Sequence, residues 1–315
     1  METLTTIFSL PLTEYGLMAA LALLLALGSA GLWAMRQGAD ARRVLVIGCV
    51  GVVLTWFMSR VVFVCCSYKL YLGDVPLIKA LDFWDGGYSM IGAFAGLVLT
   101  MLVGAKLTGV RAATLLDGLA LGLPVALVCA RIAEAGTGLD VGWYLEEGWP
   151  SVGLLVEAEY GTAHAIYKYA AIAAILIGLA VALQARRKDR REGSMMLTFM
   201  LLFGAVQVFL ESLRDDGHME IHMGVHMQQV FSAVMLVLAI ILWAVQAYRM
   251  GTLKKVPFIG ALVVTVGLVV LAVVAEFGVD RWDSKVLAYG IMVGCLFLMA
   301  VIGLVCRRLT YGRKA

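Results

Sequence analysis

Three arginines and a lysine, Arg60, Arg131, Lys168 and Arg214, stand inside or at the ends of long apolar runs. Charge in that setting is costly unless it snorkels to headgroups, meets a partner or binds an anionic ligand. Arginine there suits phosphate, because its planar fork donates parallel hydrogen bonds and keeps its charge when partly buried. A phospholipid headgroup would supply such an anion. Glu211 precedes Arg214 by three residues, so on a helix the two side chains share a face. The pair reads either as an ion pair that lets a carboxylate exist in a membrane or as a carboxylate that orients the arginine. His218, His222 and His226 recur at i, i+4 and i+8 and on a helix would face one way, as a metal site or an acid–base relay requires. Gly217 and Gly224 interrupt such a helix and favour a solvated polar hinge. His164 is a weaker candidate of the same kind.

The elements that must position these residues are membrane-spanning helices. The 315 residues are 62% hydrophobic and 15% charged, against roughly 45–50% and about 25% in soluble domains. This excludes an ordinary water-soluble globule, a disordered chain and a disulfide scaffold, and the formal charge of +3 gives no footprint for nucleic acid. The predicted fold class is all-α, a polytopic helical membrane protein with apolar windows near 15–35, 44–66, 87–108, 113–133, 162–185, 195–213, 225–248, 257–277 and 287–306. No basic residue precedes Arg36, so the first window lacks the start of a cleaved signal peptide and its amino end is expected outside. That orientation puts 17 of the 25 Lys and Arg on the inner side, including the run Arg186, Arg187, Lys188, Arg190 and Arg191. The stretch between the fourth and fifth windows, with Glu134, Asp140, Glu146, Glu147, Glu157 and Glu159 and no Lys or Arg, is then an outer loop. The six cysteines all fall within spans without metal-ligand spacing and read as small core residues. No metal or cofactor is expected.

Several short motifs carry a resemblance. Trp84 to Ala93 reads W-D-G-G-Y-S-M-I-G-A and opens an apolar helix. It resembles the W-D-G-G-M-S-F-H-G-G stretch of the prolipoprotein diacylglyceryl transferase family. Tyr15-Gly16-Leu17-Met18 looks like that family's Y-G-L-M, Arg60 matches the arginine of its G-R-I, and Asp117, Pro124 and Arg131 keep its spacing of Asp, Pro and Arg. Gly204 to Gln207, with Glu211 and Arg214, is similar to G-A-F-R-x-x-V-E-F-F-R, and Met227-Gln228-Gln229 to M-G-Q. The resemblance covers about 1–250, which would form a transferase-like membrane domain followed by an additional hairpin at 251–315.

The resemblance implies transfer of a diacylglyceryl group from phosphatidylglycerol to the cysteine thiol of a lipoprotein signal peptide, at the outer leaflet of a bacterial plasma membrane. Arg131 and Arg214 would hold the phosphate, with Glu211 beside them in the catalytic set. Tyr15, Arg60, Gly86, Gly87, Ser89, Gln207 and Gln229 would line the substrate site. Four departures stand out. The family's H-G-G histidine is Ile91, and the first arginine of the G-A-F-R motif is Gln207. Beyond Arg131, Glu134 and Thr137 replace two asparagines and Leu139 a carboxylate. Of H-P-S-Q-x-Y-E only Tyr167 is clearly kept in Thr162 to Lys168. His218, His222 and His226 are the candidates for a relocated base. Ile91 and Gln207 equally suit an inactive descendant that binds phospholipid or lipoprotein precursor, and a small-molecule transporter is the third reading.

The expected orientation is checked by impermeant thiol labelling after the native cysteines are replaced. Glu159→Cys should react from outside the cell and Arg190→Cys only after permeabilisation; labelling of both from the same side would reject it.

Overall fold

The computed structural model describes residues 3–7, 10–72, 76–83, 86–135, 137, 141–145, 153–215, 220–222, 225–279 and 281–311. Strands β1 (Thr3–Ile7) and β2 (Leu10–Thr13) pair antiparallel and lead into α1 (Glu14–Arg36). There follow α2 (Ala41–Cys66), a short α3 (Tyr68–Leu72), a 3-10 turn at Leu77–Leu81, α4 (Met90–Thr108) and α5 (Ala112–Glu134). Strands β3 (Val141–Tyr144), β4 (Leu155–Ala158) and β5 (Gly161–Ala165) precede α6 (Ile166–Ala185) and α7 (Ser194–Ser212). Short strands β6 (Glu220–His222) and β7 (Val225–His226) introduce α8 (Met227–Arg249), and α9 (Lys255–Gly278) and α10 (Lys285–Thr310) complete the chain. Among the described residues, nine helices of 19 to 26 residues are long and apolar enough to cross a membrane. They coincide with the nine apolar windows, so the protein is a polytopic helical membrane protein.

Three expected boundaries shift because backbone outside the apolar runs finds other partners. Residues 162–165 belong to β5, the central strand of a small antiparallel sheet ordered β3-β5-β4, so the fifth span starts at Ile166. The third starts at Met90, after Ser89 accepts a hydrogen bond from the Gly92 amide at 3.5 Å as its N-cap. The seventh starts at Met227, directly after β7.

The chain divides into two compact units. The first comprises residues 1–140 and 216–223. In it α1 packs along α5 and α2 along α4. Hydrocarbon gives helices no hydrophobic reason to associate, so close packing of small residues must do so. Gly92 and Gly96 on α4 face α2 so tightly that a Cβ at Gly96 would lie 2.6 Å from the Thr55 Cα, and one at Gly92 would strike the Met58 carbonyl. Gly118 and Gly122 on α5 repeat the arrangement against α1, where a Cβ at Gly118 would lie 2.6 Å from the Trp33 Cβ. Each small-residue contact is joined by an interhelical hydrogen bond: Ser59 Oγ donates to the Ser89 carbonyl at 2.7 Å and Ser29 Oγ to the Gly118 carbonyl at 3.0 Å.

The second unit comprises residues 141–215 and 224–315. Its centre is α7 against α8, around Phe199, Leu201, Leu236, Ile240 and Trp243, all at most 1% exposed. Helix α10 packs on both α7 and α8, and α9 on α10. At the basic end of this unit the buried Gln184 accepts from Thr198 Oγ1 at 2.5 Å and donates to the Tyr311 hydroxyl at 2.8 Å. The guanidinium groups of Arg187 and Arg307 lie over the same tyrosine ring, 5.3 and 5.6 Å from its centroid. That network ties the C-terminal pair to α6 and α7.

The glycine contacts make a paired prediction. Gly96→Ala, which meets backbone that cannot step aside, should lower stability by roughly 1–3 kcal/mol. Gly28→Ala, with nothing within 4 Å of the new methyl, should be neutral or mildly stabilising. Denaturation of both variants in detergent checks the contrast, and equal stabilities would reject it.

Candidate functional site

In the first unit the arginine of α2 organises the loop before α4. Arg60 is only 3% exposed and donates four hydrogen bonds, all to main-chain carbonyls. Nε reaches the Ala80 carbonyl at 3.3 Å, Nη2 the Lys79 carbonyl at 2.8 Å, and Nη1 the carbonyls of Gly86 and of Gly87, the latter at 3.0 Å. The loop comes this close because Gly86 and Gly87 adopt φ of +76° and +70°. A Cβ at Gly87 would lie 2.6 Å from the guanidinium itself. Ser89, 1% exposed, closes the turn: its amide donates to the Ser59 carbonyl at 3.1 Å and its carbonyl receives the Ser59 hydroxyl. Trp84 and Asp85 of the same motif lie outside the described residues. Arg60, Gly86, Gly87 and Ser89 are therefore one assembly, in which Arg60 holds a loop.

A second group gathers where the amino end of α1 meets the carboxyl end of α5. Arg131 is 2% exposed, and its Nη1 lies 2.6 Å from Glu134 Oε2, one helical turn on. Tyr15 is partly buried in the first turn of α1. The structure adds Glu134 as the partner that neutralises Arg131. The i, i+3 spacing of Arg131 and Glu134 was the sequence signal for that pair.

In the second unit the carboxyl end of α7 carries a chain of buried polar groups. Glu211 is 0% exposed and accepts from Gln207 Nε2 at 2.6 Å on Oε1 and from Arg214 Nη1 at 3.0 Å on Oε2. Both carboxylate oxygens are thereby engaged, and the Arg214 side chain keeps 8% exposure. Gln207 occupies the place of a second arginine, so one carboxylate here faces one cation. Arg214 itself lies beyond the helix, bridged antiparallel to Gly142, and the Asp215 amide donates to the Val141 carbonyl at 3.0 Å. Gly142 is needed for that approach: a Cβ there would sit 2.9 Å from the Leu213 carbonyl. No sequence motif had pointed to β3.

The remaining candidates divide. Gln229 is buried on α8, with Nε2 3.4 Å from the Val208 carbonyl. His226 is 2% exposed and is the N-cap residue of α8. His218 lies outside the described residues, as does the side chain of His222. The helical alignment of the three histidines does not form, because 220–222 and 225–226 are extended. Lys168 donates to the Leu155 carbonyl at 2.7 Å, the behaviour of a lysine anchored at an interface. Among the described residues no cluster of three or more His, Cys, Asp or Glu side chains could hold a metal ion.

Long apolar helices whose ends hold buried arginines, each braced by carboxylate or carbonyl oxygens, define a polytopic membrane protein with charge held at its helix ends. The sequence pattern of the prolipoprotein diacylglyceryl transferase family matches residues 2–245. The chain belongs to that family, whose members are transferases. A phosphatidylglycerol–prolipoprotein diacylglyceryl transferase of Clostridioides difficile is 25% identical over 215 residues, 68% of this chain and 83% of the relative. One of Tropheryma whipplei is 27% identical over 194 residues, covering 57% and 69% of the two chains. One of Brucella anthropi is 33% identical over 131 residues, 38% of this chain and 45% of the relative.

Glu211→Ala would leave Arg214 and Gln207 facing a dry interior without their shared acceptor. The expected loss is roughly 3–5 kcal/mol, as for a broken buried ion pair. Thermal or denaturant unfolding of the purified variant measures it, and a loss below about 1 kcal/mol, the scale of an exposed pair, would contradict the buried arrangement.

Proposed function

We propose that the chain transfers a diacylglyceryl group from phosphatidylglycerol to the cysteine thiol of prolipoproteins, on the outer face of a bacterial plasma membrane. In this reaction the thiol proton passes to a base and the sulfur attacks the glycerol carbon that bears the phosphate. A carbon–sulfur bond forms, the carbon–oxygen bond breaks, and glycerol phosphate leaves with the electron pair. The catalytic demand is charge stabilisation on the departing phosphate, which is strongest where water is excluded. The observation that carries the reading is the buried arginine with a family counterpart: Arg131 at 2% exposure, in a chain matched by the family over 2–245.

Roles follow residue by residue. Arg131 and Arg214 bind phosphate oxygens, Tyr15 lines the substrate site, and Glu211 orients Arg214. Arg60 holds the Gly86–Gly87 loop against which the lipid rests. Gln207 and Gln229 contribute hydrogen bonds without charge. Ile91 can take no proton, so the base lies elsewhere, with His218, His222 and His226 as the acid–base groups offered by the sequence. The same Ile91 and Gln207 support a second reading, a descendant that binds phospholipid or lipoprotein precursor without turnover.

One assay separates the two: purified protein, phosphatidylglycerol and a lipobox peptide, with mass spectrometry for the thioether adduct. Arg131→Ala should remove at least about 99% of the transfer, the usual scale for loss of a transition-state charge contact, while the helical circular dichroism is unchanged. Unimpaired transfer would take Arg131 out of the site. A parent that binds lipid but forms no adduct beside an active relative would replace catalysis with binding.

A further inference from the structure

We infer that α10, lying beyond the family-matched residues, positions Arg214, with Tyr289 as the positioning residue; this rests on the role given to Arg214 above. Tyr289 is wedged between the two backbone segments that meet at Arg214. On one side it touches α7 twice, edge-on to Phe209 with ring centroids 6.1 Å apart, and through its hydroxyl, which donates to the Ser212 carbonyl at 3.3 Å. On the other it packs against Trp143 of β3, with centroids 5.2 Å apart. Lys285, one turn earlier on α10, places Nζ 4.3 Å from the Trp143 ring centroid.

Trp143 adjoins Gly142, the bridge partner of Arg214, and Ser212 lies two residues before that arginine. Among the described residues, β3 and the end of α7 are joined by that bridge, by the Asp215 amide bond to the Val141 carbonyl and by the close approach of Gly142 to the Leu213 carbonyl. A short joint of this kind opens more readily when packing around it is lost. Tyr289 supplies that packing from a helix that lies beyond the family match at 2–245. Arg214 is already aimed from the end of α7 by Glu211; Tyr289 fixes the turn on which it sits, and the hairpin thereby acts on the site without touching substrate.

The test compares Tyr289→Ala and Tyr289→Phe with the parent as full-length protein in detergent, by hydrogen exchange and by transfer kinetics. In Tyr289→Ala, amides in 210–215 and 141–145 should exchange about tenfold faster. Turnover should fall about tenfold in kcat with a smaller change in KM, as for a misplaced catalytic group. Tyr289→Phe, which keeps the ring, should restore most of both. Unchanged exchange in Tyr289→Ala overturns the inference, as does a kcat equal to the parent's when the parent is active. Faster exchange in Tyr289→Ala, when the parent itself transfers nothing, upholds the brace and rejects the transferase reading instead.

Discussion

Every feature of this protein answers to one constraint: in a hydrocarbon environment a charge or a peptide group without a partner is not tolerated. The long helices satisfy their own backbones, which leaves the charged side chains as the groups requiring an answer. The three buried arginines are met in three ways. Arg60 is met by main-chain carbonyls, Arg131 by Glu134, and Arg214 by Glu211. Each answer recruits a different part of the sequence, a loop, the next helical turn and the preceding one, and the local fold at each position is what that recruitment requires.

The second consequence concerns how the helices stay together. Lipid tails compete on equal terms with leucine, so α2 with α4 and α1 with α5 rely on glycines that let backbones touch and on serines that bond across. The exposed valines and leucines of α9 are what a lipid-facing surface looks like and need no other explanation. Within the second unit, aromatic and polar contacts at both ends of α10 fasten the C-terminal pair, and Met292, Cys295, Leu296 and Met299 in its middle are buried.

Much of this was legible in the sequence because membrane spans announce themselves by length and composition. The nine helices follow directly from it, and the motif spacing around Asp117, Pro124 and Arg131 led to the family. The Glu211–Arg214 pair was read from its i, i+3 spacing; Arg131 and Glu134 share that spacing, but in the sequence Glu134 reads as one of the acids of an outer loop and the structure supplies the pair. Three things were hidden for physical reasons. The acceptors of Arg60 are carbonyls 19 to 27 residues away, and a carbonyl leaves no mark in a sequence. The sheet around β5 combines a tight β4–β5 hairpin with a more remote pairing to β3, in strands that carry no clear alternation. The G-x-x-x-G spacings Gly92–Gly96 and Gly118–Gly122 were visible, but only the structure shows which neighbour each one admits.

The loop held by Arg60 has an electrical side. A trans peptide is rigid, with its C=O and N–H pointing in opposite directions. By drawing the carbonyls of Gly86 and Gly87 toward itself, the guanidinium turns the amides of Gly87 and Tyr88 the other way. The buried cation is thus relayed through two peptide dipoles, whose electropositive N–H ends point away from the guanidinium. Replacing Arg60 with a neutral residue would therefore alter the field beyond the loop as well as the loop's shape, and a phosphate would feel an arginine that it never touches.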